Sequence, residues 1–131
     1  MGRIKVEGLS VAEILEWPIE YFDELVLIDD PIVLSIGTAQ VLGQFSVSSE
    51  NRLVVELAQI DGGGEGVLPT ITRLSKHIAR IKAISEIECI VYAVNCAEPN
   101  LKLRAYLVKA GFELKNIPRK GEVYYKVLVL N

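Results

Sequence analysis

A cluster of glycines is the feature of this chain whose spacing could support chemistry. Gly62, Gly63, Gly64 and Gly66 fall within five positions, directly after an apolar, strand-like run and directly before a helix-like one. Glycine loses more backbone entropy on folding than other residues, so such a cluster is expected where the backbone turns tightly or approaches a ligand. A strand, a glycine-rich turn and a helix together present backbone N–H groups and a positive helix end to an anion, typically a phosphate.

The spacing of these glycines excludes two common nucleotide motifs. A Walker loop needs Lys-Ser/Thr after its last glycine, but Gly66 is followed by Val67 and Leu68, and the next lysine is Lys76. A dinucleotide fingerprint would need a glycine where Val67 or Pro69 stands. The glycine cluster therefore predicts an anion site of another kind.

Glu56 is the residue best suited to acid–base chemistry. It lies in the otherwise apolar run "RLVVELAQI", where an unpaired buried carboxylate would be costly, and this makes it the candidate for a general base. The alternative is that Glu56 points to solvent from a half-exposed strand, and the sequence favours neither.

The cysteines and the single histidine indicate neither a metal site nor a disulfide. Cys89 and Cys96 have no C-x-x-C spacing and no histidine cluster nearby, so we expect two reduced, packed thiols. His77 is the only histidine and lies on an expected helix, so a Cys–His nucleophile would require a chance meeting in the fold.

Length and composition describe one compact domain over residues 1–131. Half of the residues are apolar and the formal net charge is −3, which argues against a nucleic-acid binder that neutralises phosphates. The longest apolar runs are interrupted by acids and proline, and "MGRIKVEG" lacks a signal-peptide apolar segment. We expect no contact with nucleic acid or membrane and a cytoplasmic location.

Hydrophobic periodicity and turn residues predict the order of elements. In sequence they are a strand over Arg3–Gly8, two short helices within about Val11–Leu25 begun by a Ser10/Glu13 capping box, strands in "PIVLSIG", "AQVLGQFSVS" and "RLVVELAQI", a helix over Pro69–Ser85, a buried strand in "CIVYAVN", a helix over Pro99–Ala110 ended by Gly111, and a strand in "VYYKVLVL". This order, β-α-α-β-β-β-α-β-α-β, predicts an α/β (α+β) fold with a mixed, mostly antiparallel sheet of six to seven strands flanked by helices. A right-handed crossover should join "RLVVELAQI" to "CIVYAVN". The last strand is expected at an edge, where it could mediate a homodimer.

Three segments of this pattern resemble the GCN5-related N-acetyltransferase superfamily over essentially the whole chain. "AQVLGQFSVS", with Gly43, resembles the second meander strand of that family. "LVVELAQIDGGGEGVLPTI" resembles its signature strand, pyrophosphate loop and helix start, with "GEGV" as the Gly-x-Gly-hydrophobic core. "EPNLKLRAYLVKAGFEL" resembles the C-terminal helix, because Asn100 precedes the pair Gly111–Phe112 by the usual spacing.

The resemblance implies that acetyl-coenzyme A binds where the strands around Leu57–Ile60 and Cys89–Val94 splay apart. An amine, whose identity the sequence does not give, would attack the thioester directly, with Glu56 as base and Tyr106 as acid. The cofactor-binding residues implied in this way are Leu57, Ile60, Gly62, Gly63, Gly64, Glu65, Gly66, Val67 and Asn100.

The chain departs from the family pattern at its pyrophosphate loop. The usual Arg or Gln at the head of the loop is Asp61 or Gly63 here, and Glu65 adds a second negative charge that would repel a pyrophosphate. The nearest basic residues lie one or more turns into the following helix, where a solvated basic face is the alternative role: Arg73, Lys76 and Arg80.

A second departure concerns the acid. The usual tyrosine position is Leu107, and Tyr106 lies one place away, which turns its side chain by roughly 100° on a helix. Tyr106 could therefore be the acid or a core or surface tyrosine.

Other aromatic residues have packing roles by expectation. Trp17, Tyr21 and Phe22 would cover the sheet and, by the resemblance, wall the acceptor side of the cleft. The strand tyrosines are expected to pack rather than to form a substrate cage: Tyr92, Tyr124 and Tyr125.

Two functions follow. One is a coenzyme-A-dependent N-acetyltransferase, and the other is a catalytically silent protein of the same fold that binds a protein or a small anionic ligand. The enzyme requires an open splay beside Leu57–Ile60, whereas the silent protein allows side chains such as Leu68 to fill it.

Overall fold

A computed structural model of the chain describes residues 9–36, 39–61, 66–92 and 101–130. The elements within these ranges are β1 (Leu9–Ser10), α1 (Val11–Ile14), α2 (Ile19–Leu25), β2 (Ile32–Ile36), β3 (Ala39–Val47), β4 (Leu53–Asp61), α3 (Val67–Ile81), β5 (Glu86–Val91), α4 (Leu101–Lys109), β6 (Glu113–Ile117) and β7 (Gly121–Val129).

The strands form one mixed sheet in the order β1-β2-β3-β4-β5-β7-β6. The meander β2-β3-β4 and the pairs β5-β7 and β7-β6 are antiparallel, whereas β1-β2 and β4-β5 are parallel. Parallel neighbours need a crossover, and α3 provides it between β4 and β5. The predicted fold class, a mostly antiparallel sheet flanked by helices, is confirmed.

The two short helices lie where the sequence places them, because Pro18 separates α1 from α2. The capping box is wrong: Ser10 is the N-cap residue of α1, but its side chain makes no capping hydrogen bond. The strand predicted over Arg3–Gly8 falls outside the described residues.

Helix α3 differs from its predicted bounds at both ends. It begins at Val67, two residues before Pro69, and ends at Ile81 rather than Ser85. The end is set by Ala83, whose φ of 56° is left-handed, while Ile84 N–H donates to the Ala79 carbonyl at 2.7 Å. This is a Schellman ending, and it could not be predicted from the sequence because glycine, not alanine, is the usual residue at that position.

The C-terminal half contains two corrections. Strand β6, "ELKNI", was not predicted as an element, and it pairs with β7. Strand β7 is consequently internal, between β5 and β6, so the prediction that "VYYKVLVL" forms an edge was wrong. The edge on that side is β6, and the homodimer stays a prediction. Helix α4 does end at Gly111, whose φ is 94°, as predicted.

All four described helices bury residues in one apolar core on a single face of the sheet. The residues that the helices contribute to this core include Val11, Ile14, Phe22, Leu74 and Leu107. Two further buried residues, Ile90 and Val123, lie outside this core cluster, and strand alternation places them on the opposite face. We call these the helix face and the open face. None of the described helices has the length and apolar character needed to cross a bilayer.

Candidate functional site

Strands β4 and β5 are parallel neighbours in the middle of the sheet. Their parallel pairing runs from Leu53↔Ile87 to Leu57↔Val91, and Tyr92 N–H adds a last bond to the Leu57 carbonyl at 3.0 Å. Beyond Leu57, β4 continues to Asp61 in pairing with β3 alone among the described residues. The described pairing of β4 with β5 therefore extends to Leu57 and Tyr92. The β5 side of the predicted splay, from residue 93 onward, lies outside the described residues.

A bulge lies at the same point on the other side of β4. The β3-β4 register shifts between Leu42 and Gly43, so that Leu42 faces Gln59 and Gly43 faces Leu57. A Cβ on Gly43 would approach the Glu56 carbonyl oxygen and the Leu57 side chain to 3.2 Å, which is tighter than an ordinary contact. The extra residue of the bulge is Ala58 of β4, and Gly43 permits the close approach of β3 at this point.

A cavity of about 310 Å³ opens on the helix face beside the paired residues of β4 and β5. Strands β4 and β5 give it apolar walls through Leu57 and Val91, and Leu68 of α3 borders it without filling it. Its remaining lining residues are Val55, Pro69, Ile71, Thr72, Ser75, Cys89, Tyr106, Ala110, Phe112, Lys126 and Leu128. An apolar cleft with a few polar groups is typical of a small-molecule site. The helix face thus has open space beside Leu57 that Leu68 does not fill, and the splay itself stays a prediction.

The N-terminus of α3 meets the requirements for an anion in part. Gly66 is its N-cap residue and, as a glycine, has no side chain that could cap the helix. The first turn that follows contains no acidic residue. A Cβ on Gly66 would meet nothing within 4 Å, and its φ of −77° suits any residue, so packing does not demand glycine there. The N–H groups of Val67 and Leu68 begin the helix, whereas Pro69 has none to offer. Backbone donors at the positive end of a helix can bind an anion.

Several predicted cofactor residues fall outside the described parts of the chain. These are Gly62, Gly63, Gly64, Glu65 and Asn100. Leu57 lines the cavity, and Ile60 is paired with Val41 of β3 and packs against the core.

Helix α4 turns Tyr106 toward the cavity and Leu107 into the core. Leu107 is fully buried, whereas Tyr106 is half-buried and lines the cavity. The residue one position away from the usual tyrosine is thus the one that reaches the cleft, because the face of α4 that packs on the core carries Leu107.

Glu56 faces the other way, onto the open face. Its neighbours Val55 and Leu57 line the cavity, and alternation along β4 sends the carboxylate to the opposite side. There Tyr92 Oη donates a hydrogen bond to Glu56 Oε1 at 2.6 Å, and Lys120 Nζ donates to the same oxygen at 2.8 Å. The Glu56 side chain is 17% exposed. Neither sequence alternative described this state, because the carboxylate is partly buried and paired.

Pairing changes the ionisation of both partners of Glu56. The hydrogen bond to Glu56 raises the pKa of Lys120, so its ammonium is held charged. Burial, followed by the hydrogen bond to Glu56, raises the pKa of Tyr92. The two partners of Glu56 are therefore an ammonium and a neutral phenol at neutral pH.

Sequence reasoning missed Lys120 and assigned Tyr92 only to packing. Lys120 is 64 residues from Glu56, and it reaches the carboxylate because the turn between β6 and β7 folds over the open face. The one available signal was "IPRKG", a turn sequence with proline at its second position, but β6 had to be recognised first.

Cys89, His77 and Trp17, which the sequence analysis considered as candidates for other roles, are packed against neighbouring side chains. Cys89 lines the cavity, and its burial raises the pKa of its thiol to about 11. The His77 ring lies against Phe22, with centroids 5.7 Å apart. Trp17 packs edge-on against Phe22, which is fully buried, so these aromatics cover the core as expected. In the described parts of the chain, no group of three metal-ligating side chains comes together. Cys96 lies outside them.

No protein-family model matches the sequence, and no curated protein matches it. The structure is similar to that of a GNAT-family acetyltransferase from Listeria monocytogenes, with a TM-score of 0.40 and 14% identity over 69% of this chain and 57% of that one. It is also similar to Arabidopsis thaliana Naa50 in complex with a bisubstrate analogue, CoA-Ac-MVNAL, with a TM-score of 0.37 and 16% identity over 70% and 65%. For Ard1 from Thermoplasma volcanium the TM-score is 0.35 and the identity 11%, over 70% and 63%. The chain spans less than two thirds of the length of each of these neighbours.

Proposed function

We propose that this protein is a coenzyme-A-dependent N-acyltransferase that receives acyl donor and amine acceptor from opposite faces of its sheet. The supporting observation is that neighbouring residues of β4 face an apolar cavity and a paired carboxylate. The cavity opens beside Leu57 on the helix face, and the Glu56 carboxylate lies one residue earlier on the open face. A splay of the two strands beyond Leu57 would connect the two faces.

The helix face would hold acetyl-coenzyme A. The N–H groups of Val67 and Leu68 would receive phosphate oxygens at the positive end of α3, and Leu57 and Val91 would line the pantetheine arm. When bound, the cofactor supplies a thioester whose acyl carbon an amine can attack. Tyr106, which lines the cavity from α4, would donate a proton to the departing thiolate.

The open face would handle the amine. Glu56 would accept the proton that the nucleophilic nitrogen must lose, and Tyr92, bonded to Oε1, would keep the carboxylate in place. The two strands fix these side chains by backbone pairing, which supplies the orientation that a direct transfer needs.

The ion pair of Glu56 with Lys120 favours the second candidate, a silent protein that binds a ligand in the cavity without transferring a group. Lys120 Nζ and Tyr92 Oη both occupy Glu56 Oε1, which leaves that oxygen less accessible to an acceptor amine. The two candidates agree on the cavity and differ on turnover.

Calorimetric titration with acetyl-coenzyme A tests the proposal, with Gly66→Asp and Gly66→Asn as matched variants. Both side chains fit the open space at Gly66, so both variants should fold, but only the aspartate repels a pyrophosphate. We expect micromolar binding to the native protein, similar binding to G66N, and at least tenfold weaker binding to G66D.

An absence of binding at millimolar cofactor would overturn the proposal. Equal affinity of the two variants would show that the N-terminus of α3 does not hold the pyrophosphate. Binding without acyl transfer to any amine in a screen would leave the silent protein as the function.

A further inference from the structure

The Lys120 side chain already presents a primary alkylammonium to Glu56, at the place where an acceptor amine would have to lie. Lys120 Nζ is 2.8 Å from Glu56 Oε1, and its four-carbon stem crosses the open face from the β6-β7 turn. The Lys120 side chain is 34% exposed and that of Glu56 17% exposed, so the pair lies at the surface of the cluster.

Lys120 lies at the end of the β6-β7 turn, which a backbone hydrogen bond closes. Lys120 N–H donates to the Ile117 carbonyl at 2.9 Å, with Pro118 at the second position and Arg119 at the third. Arg119 has a φ of 72°, a left-handed conformation that non-glycine residues disfavour. The same turn that adopts this conformation places Lys120 Nζ 2.8 Å from Glu56 Oε1.

We propose that Lys120 occupies the Glu56 subsite in place of the acceptor amine. The subsite then selects primary alkylammonium groups of the lysine side-chain type, and it is closed until such a group displaces Lys120. The inference rests on the proposed function, since it names the acceptor class of that site. The chemistry of the subsite is that of Lys120 itself: a carboxylate oxygen for the ammonium, with Tyr92 Oη on the same oxygen.

An intramolecular competitor lowers the apparent affinity for an external ligand by the fraction of molecules in which the site is open. A partly exposed ion pair is of modest strength, so Lys120 should weaken acceptor binding by about fivefold. Removing its ammonium should strengthen binding by the same factor.

The experiment titrates Nα-acetyl-lysine methylamide into the protein without cofactor, followed by NMR, with Nα,Nε-diacetyl-lysine methylamide as the uncharged control ligand. We expect Lys120→Met to bind the charged probe about fivefold more tightly than the native protein. Adding Glu56→Gln to that variant should abolish binding, and the uncharged ligand should bind none of them. Lys82→Met is the matched control, because Lys82 makes a 2.8 Å ion pair with Asp23 elsewhere on the surface.

A second measurement uses the native protein and does not depend on the folding of a variant. The side-chain ammonium signal of Lys120 should move to the position of an exposed lysine as the charged probe saturates the site. A signal that stays unchanged at saturation, or unaltered affinity in K120M, would overturn the inference.

Failure of the proposed function would look different. It would appear as a lack of binding in the acetyl-coenzyme A titration, which involves the other face of the sheet and leaves the response of Lys120 to the amine intact.

Discussion

The two faces of the sheet use the same strand for opposite purposes. On the helix face, Val55 and Leu57 of β4 form apolar walls of a cavity. The apolar core, to which the four described helices contribute buried residues, lies beside it. On the open face, Glu56 of the same strand belongs to a set of hydrogen-bonded and ionic pairs that includes Glu88 with Tyr125. Alternation along one strand thus places an apolar binding wall and a carboxylate one residue apart.

The largest effect should come from the helix face, when a buried side chain of α4 is truncated and the free energy of unfolding falls. Leu107→Ala removes a fully buried side chain from the helix face and should lower the free energy of unfolding by about 2–5 kcal/mol. Val108→Ala is the control one position along, since Val108 is 61% exposed and should change stability by less than about 0.5 kcal/mol. Urea unfolding measures both.

A similar cost for the two variants would mean that α4 is rotated about its axis relative to the sheet. In that case Tyr106 would not face the cavity, and its role as the acid would fail with it.

The second difference is in thiol reactivity. Burial on the helix face raises the pKa of Cys89 to about 11, so at pH 8 its thiolate fraction is about 100-fold lower than that of an ordinary thiol. In a Cys96→Ser variant, alkylation by iodoacetamide should be slower by at least that factor in the folded protein than in urea. The unfolded thiol ionises first, so stability should fall as the pH rises from about 9 to about 11. Equal rates in both states would show that the cavity admits water freely to Cys89.

The smallest effect should come from the open face. Tyr125→Phe removes the hydrogen bond to Glu88 and should cost about 1 kcal/mol at pH 7, because both groups lie near water. Burial, followed by that hydrogen bond, raises the pKa of Tyr125 to about 12, so the native protein loses stability between about pH 10 and 12 as the unfolded phenol ionises first. The variant should lose less over this range. A loss above about 3 kcal/mol at pH 7 would indicate that the open face is covered in the native protein.

The elements that the sequence predicted well are those with strong local patterns. The meander strands alternate clearly in burial, and α3 has a regular apolar face that includes Ile71, Leu74 and Ile78. Strand β6 was missed because "ELKNI" is charged, mostly exposed and weak in β-branched residues, so pairing with β7 rather than propensity forms it. The end of α3 was misplaced because a tertiary context stabilises Ala83 in a conformation that its side chain disfavours.

The candidate site was predictable in its parts and not in its assembly. Glu56 stood out as a carboxylate in an apolar strand, and Leu57 as the start of the splay. Their placement on opposite faces follows from alternation. The partners Tyr92 and Lys120 lie 36 and 64 residues further along the chain, so only the folded sheet could join them to Glu56.

Strand β5 has a position in the sheet that bears on how the chain folds. The meander β2-β3-β4 and the hairpin β6-β7 are joined by short turns, whereas both neighbours of β5 are distant in sequence: β4 lies beyond α3, and β7 beyond α4 and β6. Closing such long loops has an entropic cost that local hairpins avoid. We therefore expect two locally folded parts to form early and β5 to insert between them late, so that the seam beside the cavity is completed in the final step of folding.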